Sequence, residues 1–187
     1  MRLTHLSCLA ALVLAACGEA ATPPSVTVEK PHPVTDWKAG AMVAAANPMA
    51  VEAGLEVLRK GGSAVDAALA VQAVLGLVEP QSSGLGGGAF LIHFDARTGA
   101  VTAYDGRETA PAGARPDMFL TDGQPMSFPQ AVTSGDSVGT PGLVSLLLLA
   151  HADHGKLTLA DDFAPAVTLA ASGFPVPRRM AAAIGMA

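Results

Sequence analysis

Glu79-Pro80-Gln81-Ser82-Ser83-Gly84-Leu85-Gly86-Gly87-Gly88-Ala89-Phe90 is a polar, glycine-rich joint between two apolar segments. Before it, residues 64–78 are almost entirely Ala, Val and Leu, and they read as a helix buried on most faces. Glu79-Pro80 ends that helix, because the residue before a proline is pushed out of the α region. After the joint, residues 89–94 and 100–104 read as two strands. The loop Asp95-Ala96-Arg97-Thr98-Gly99 joins them as a hairpin. The order is therefore helix, glycines, strand. Gly84 to Ala89 satisfies the letters of G-x-G-x-x-A. A dinucleotide fingerprint, however, needs a strand before it and a helix after it, so that phosphate meets a helix N-terminus. The glycines are expected instead to let backbones approach where no side chain fits.

Upstream, Ser63-Ala64-Val65-Asp66 resembles a capping box with Asp in place of the usual Glu. Gly61-Gly62 stops an earlier helix, which Asn47-Pro48 starts and in which Val51, Leu55 and Leu58 recur at helical spacing. Residues 40–46 are small and apolar and are expected to form a buried strand. Residues 17–38 contain Pro23, Pro24, Pro31 and Pro33, which forbid a helix and read as a tether.

The first sixteen residues read as a signal peptide. Arg2 gives a positive start, and residues 6–16 form an uncharged apolar run. That run is shorter than the roughly 20 residues needed to cross a bilayer, and it fits a signal-peptide core. Leu14-Ala15-Ala16-Cys17-Gly18 resembles a bacterial lipobox. Cys17 is therefore expected to carry lipid and to anchor an exported protein at a membrane, in the periplasm or at the cell surface. Cys8 lies in the removed segment, so no free thiol remains, which suits an oxidising compartment. Two cysteines make no disulfide scaffold.

Downstream, residues 105–114 read as a polar loop and 118–138 as irregular chain. Residues 141–154 read as an apolar helix. Thr158 can cap a further helix to Ser172, which Gly173-Phe174-Pro175 breaks, and Arg178 opens another. A lone two-stranded hairpin is marginal. The chain is therefore expected to be a piece of a longer protein.

Composition narrows the function. Sixteen acidic residues against eleven basic ones give a net charge of −5 over 187 residues. That excludes a nucleic-acid binder, which needs a basic face. An apolar fraction of 50% excludes a disordered chain. Aromatics at 4% leave little to stack bases or sugars on. Ser82 and Ser83 are followed by glycine and read as turn residues. His93 is expected to face solvent or a neighbouring layer. His151 and His154 share a helical spacing, but no third ligand stands near them in sequence, so neither a metal nor a cofactor is expected. Asp105-Gly106-Arg107-Glu108-Thr109-Ala110-Pro111 stands apart, as a charged cluster directly after a strand in a chain sparing with charge. An arginine there offers a planar fork that matches a carboxylate. The competing reading is an ion pair of Arg107 with Asp105 or Glu108.

Taken together, Met42-Val43-Ala44-Ala45-Ala46-Asn47-Pro48, Gly61 to Ala68, Glu79 to Phe90, Asp105 to Pro111, Val138-Gly139-Thr140-Pro141-Gly142 and Ser172-Gly173-Phe174-Pro175-Val176 resemble the start of the large subunit of gamma-glutamyltranspeptidases, also called glutathione hydrolases. The resemblance implies an α+β fold, the αββα sandwich of N-terminal-nucleophile hydrolases, of which only the N-terminal portion is present. Residues 39–187 would then be a partial large-subunit domain. It also implies a precursor that cuts itself ahead of a threonine, the nucleophile of a small subunit that becomes this chain's partner. No such threonine is expected in this segment, which alone should be inactive. The substrates implied are glutathione and other gamma-glutamyl compounds, whose gamma-glutamyl group passes to water or to an amino acid or peptide. Arg107 would hold the α-carboxylate of the donor. Two alternatives stay open: a glutaryl-type β-lactam acylase of the same family, and a non-catalytic lipoprotein that binds glutamyl peptides.

Overall fold

Asn47 opens helix α1 (Pro48–Arg59) because its side chain accepts the Met49 N–H at 3.0 Å and proline fits the first turn. The computed structural model describes residues 40–186; the expected signal peptide, Cys17 and the tether lie outside the described residues. Gly61, at φ 93°, ends α1 in a conformation that side chains resist. Helix α2 (Ala64–Val78) begins with a reciprocal box: Ser63 Oγ accepts from Asp66 N at 3.1 Å, and Asp66 Oδ2 accepts from Ser63 N at 2.7 Å. Both helices start where the sequence predicts.

The hairpin follows as β1 (Ala89–Asp95) and β2 (Ala100–Gly106), antiparallel with Leu91 opposite Tyr104. Beyond it come a second, minimal hairpin, β3 (Leu120–Thr121) and β4 (Gln124–Pro125), and the short helix α3 (Phe128–Thr133). The last three helices are α4 (Leu143–His154), α5 (Leu159–Ser172) and α6 (Arg178–Ile184). The arrangement is α+β.

Two expectations need correction. Residues 40–46 form no strand: among the described residues nothing pairs with them, and Met42 is 80% exposed. Apolar composition without a partner edge does not make a strand. The stretch read as irregular holds helix α3 and the β3–β4 hairpin, the latter turned by Asp122-Gly123 with φ of 52° and 74°. That dipeptide suits a turn needing positive φ at both positions.

The core has two parts sharing α2. On one side Ala50, Ala53 and Val57 of α1 meet Ala70, Val74 and Val78 of α2 and Ala166 of α5. On the other, Val65 and Leu69 of α2 meet Tyr104 of β2 and Leu143, Leu146, Leu147 and Ala150 of α4. Helix α2 thus lies between layers, which explains its near-continuous apolarity. The opposite face of the hairpin leaves Phe90, Ile92, Phe94 and Val101 exposed.

The end of β2 is held by backbone contact. A Cβ on Gly106 would stand 2.5 Å from Leu146 Cβ and 2.9 Å from the Gly142 carbonyl oxygen. Gly106→Ala is therefore expected to lose about 1–3 kcal/mol by overpacking, read as a lower Tm. An unchanged Tm would show that this approach is not tight.

Candidate functional site

Arg107 follows Gly106, so the close packing of β2 on α4 fixes where its backbone stands. Its N–H donates to Asp105 Oδ1 at 2.9 Å, a local turn contact. Its Nε lies 3.5 Å from Glu108 Oε2, with the Arg107 side chain 71% exposed. The ion pair with Glu108 that the sequence left open is present, and the arginine still opens to solvent. Exposed pairs of this kind contribute at most about 1 kcal/mol, so Glu108 can yield the guanidinium to a ligand at little cost. Arg107, Thr109, Pro111, Met118, Ser137 and Gly139 border an open cavity of about 380 Å³.

The glycine joint braces this site. A Cβ on Gly88 would meet Glu108 Oε2 at 2.6 Å and Glu108 N at 2.8 Å. The Gly87 carbonyl accepts the N–H groups of Gly142 and Leu143, so the joint also caps α4. Thr109 and Thr140 exchange backbone hydrogen bonds at 3.2 and 2.8 Å and pin the loop after Arg107. Close backbone packing is what the helix–glycine–strand order predicts. Ser83 Oγ accepts from Gln72 at 2.8 Å and Ser82 Oγ from Arg179 at 3.4 Å. Neither serine meets a base, as a nucleophile must. Arg179 also pairs at 3.3 Å with the buried Glu79, which ties α6 to the joint.

The family description Gamma-glutamyltranspeptidase matches residues 50–187. The chain belongs to the gamma-glutamyltranspeptidase family. It is 39% identical to the glutathione hydrolase proenzyme of Bacillus subtilis (strain 168) over 191 residues, which cover 98% of this chain and 32% of that protein. It is 41% identical to the glutathione hydrolase proenzyme of Escherichia coli (strain K12) over 175 residues, 90% of this chain and 30% of that protein. The chain thus spans about a third of the length of these curated relatives. Among solved structures, gamma-glutamyltranspeptidase from Pseudomonas nitroreducens superposes with a TM-score of 0.74 at 31% identity, covering 79% of this chain and 43% of that one. The fold is that of the N-terminal part of gamma-glutamyltranspeptidases, members of the N-terminal-nucleophile hydrolases.

Elsewhere in the chain the two helical histidines part company. His154 stacks on His93 with ring centroids 3.8 Å apart, and its Nε2 lies 2.8 Å from the Tyr104 hydroxyl. His93 does face a neighbouring layer, as expected. His151 points between α2 and α5 instead. Its Nε2 lies 3.5 Å from Asp66 Oδ1 and 3.4 Å from Asp162 Oδ2, and both aspartates are fully buried. Burial alone would raise the Asp66 pKa, but the N–H groups of Ser63, Lys156 and Leu157 outweigh it and hold the carboxyl below its ordinary value. Asp162 has no such donors. Burial first, and the charge of Asp66 second, push it up to about 6. The sequence signal for this trio was weak, because its members come from three helices 96 positions apart at the extremes.

Proposed function

We propose that this chain is the donor-binding part of an exported gamma-glutamyltransferase and glutathione hydrolase, with residues 39–187 as its partial large-subunit domain. The whole protein passes the gamma-glutamyl group of glutathione or related compounds to water, an amino acid or a peptide. The observation that carries this reading is Arg107, exposed at the end of β2 above a cavity, in a chain of this family. A guanidinium binds a carboxylate through two parallel N–H···O bonds, which fixes the donor's α-carbon end as well as attracting it. The gamma-carbonyl is then presented at a defined distance from the clamp, which lowers the entropic part of the barrier. The attacking hydroxyl and its base come from the small subunit of the same precursor. The exposed apolar face of β1–β2 is the surface on which the rest of the sandwich packs. Cys17 holds the enzyme to a membrane through its lipid.

The test compares this 187-residue chain with the product of the longest reading frame that contains it. The longer product is expected to hydrolyse a gamma-glutamyl anilide and to sediment with membranes, and Cys17→Ser is expected to abolish lipid labelling and leave the precursor unprocessed or mis-cleaved. The 187-residue chain alone is expected to show no turnover. Turnover by this chain that disappears on changing Ser82 or Ser83 would sink the reading. Preference of the longer product for a glutaryl over a gamma-glutamyl anilide would make it an acylase.

A further inference from the structure

We propose that Asp66, His151 and Asp162 form a binding site for one divalent metal ion of the zinc class, a clip between α2, α4 and α5. One donor atom from each side chain lies within 4.8 Å of the other two. His151 Nε2 stands 3.5 Å from Asp66 Oδ1 and 3.4 Å from Asp162 Oδ2. The Leu157 carbonyl oxygen accepts a hydrogen bond from the same nitrogen at 3.0 Å and would become a fourth donor when an ion replaces that proton. Metal–ligand bonds of about 2.1 Å place neighbouring donors about 3.4 Å apart in a tetrahedron and about 3.0 Å apart in an octahedron. The three separations measured from His151 fall close to those edges.

Charge points the same way. Both aspartates are fully buried, and a buried carboxylate is costly unless a donor or cation faces it. Asp66 is held by backbone N–H groups: Oδ2 accepts from Ser63, Lys156 and Leu157 at 2.7, 2.9 and 3.3 Å. Its Oδ1, turned toward His151, takes only the Lys156 N–H at 3.2 Å. Asp162 is the unpartnered member, with both oxygens enclosed and neither hydrogen-bonded. One proton on His151 leaves the trio at −1. A second proton, on Asp162, brings the trio to zero through a hydrogen bond to Asp66 and leaves the other Asp162 oxygen facing only the His151 ring, at 3.4 Å. A divalent ion beside neutral His151 brings the trio to zero and faces the bare Asp162 oxygen directly. One imidazole with two carboxylates and a carbonyl is a donor set that zinc-class ions accept.

The surroundings fix the ring. A Cβ on Gly155 would stand 2.5 Å from His151 Cδ2, so the imidazole lies over a position with no side chain. The His151 side chain is 18% exposed, which leaves an edge by which an ion can enter.

The test strips the purified 187-residue chain with chelator and titrates it with Zn2+, reading bound metal by calorimetry and stability by thermal unfolding. One equivalent is expected to bind and to raise Tm by several degrees at excess zinc. Asp162→Asn keeps the shape, removes a buried charge and so should fold without metal. Its zinc affinity is expected to fall about 100-fold or more, and the Tm rise to disappear. His93→Gln breaks up the other histidine pair and should leave the equivalent in place. Equal zinc binding by Asp162→Asn would overturn the proposal. So would a wild-type chain that binds no zinc and has the same Tm–pH curve with and without chelator, which would leave the trio sharing protons alone.

Discussion

Arg107→Gln in the full-length enzyme is expected to raise KM for the gamma-glutamyl donor about 30-fold, with little change in KM for the acceptor. A carboxylate that loses the cation of a desolvated pair costs about 2–5 kcal/mol. Arg107 is well exposed before the donor arrives, so the lower end applies. About 2 kcal/mol corresponds to about 30-fold. Arg107→Lys keeps the charge and loses the two-pronged geometry, so its donor KM should lie between those of the wild type and the glutamine variant. Maturation of the precursor should survive both changes, because it needs no free donor. Steady-state kinetics on the purified variants decide the matter. If Arg107→Gln instead blocks maturation, while whatever matures keeps a normal donor KM, then the ion pair with Glu108 is the arginine's purpose and the clamp reading fails.

The second large effect concerns folding. Asp66→Ala is expected to destabilise the chain by about 3–5 kcal/mol, because it removes a buried carboxylate on which several N–H groups depend. Three backbone N–H groups, those of Ser63, Lys156 and Leu157, would lose their acceptor. For a domain of this size that is roughly 10 °C in Tm. Asp66→Asn separates the causes. Its side-chain oxygen can stand where Oδ2 stands and keep all three bonds, so in chelator-treated protein it should cost only about 1 kcal/mol. Chemical denaturation of the two variants checks the contrast. Equal losses would mean that the negative charge, rather than the acceptor geometry, is what the fold uses.

Asp66 also marks the boundary of what a sequence can tell. Its partnership with Ser63 is three residues long, and the box is legible because both ends sit in one turn. Its partnership with Lys156 and Leu157 is carried by backbone N–H groups, which every residue but proline has, so no residue type announces it. His151 and His154 show the same limit from the other side. Helical spacing places them on neighbouring parts of α4, but which layer each enters depends on what α2, α5 and the hairpin put there. The longer helices were readable from caps and periodicity: Asn47, Ser63 and Thr158 each cap the helix they predict, whereas the short α3 was not. The β3–β4 hairpin carried its signal too, in Asp122-Gly123, within a stretch whose general composition suggested only loop. The supposed strand at 40–46 failed because strand formation needs an edge to pair with, which residue type cannot supply. Arg107 was legible as chemistry, a charge cluster after a strand. What holds it, Gly106 against Gly142, was not, because each glycine has meaning only beside the other.

The hydrogen bonds from Lys156 and Leu157 to Asp66 join positions 90 and 91 apart in the chain. On a ribosome adding about 5–20 residues per second, roughly 5–18 s separate the synthesis of the two ends. The α1–α2 pair emerges first and has a complete local cap within its own turn, so it can settle while the carboxylate is still hydrated. The backbone that finally encloses that carboxylate does not yet exist. Dehydration of Asp66 is therefore a late event in the life of the nascent chain, set by the clock of translation rather than by helix formation. A truncated chain released before Lys156 would leave Asp66 in water.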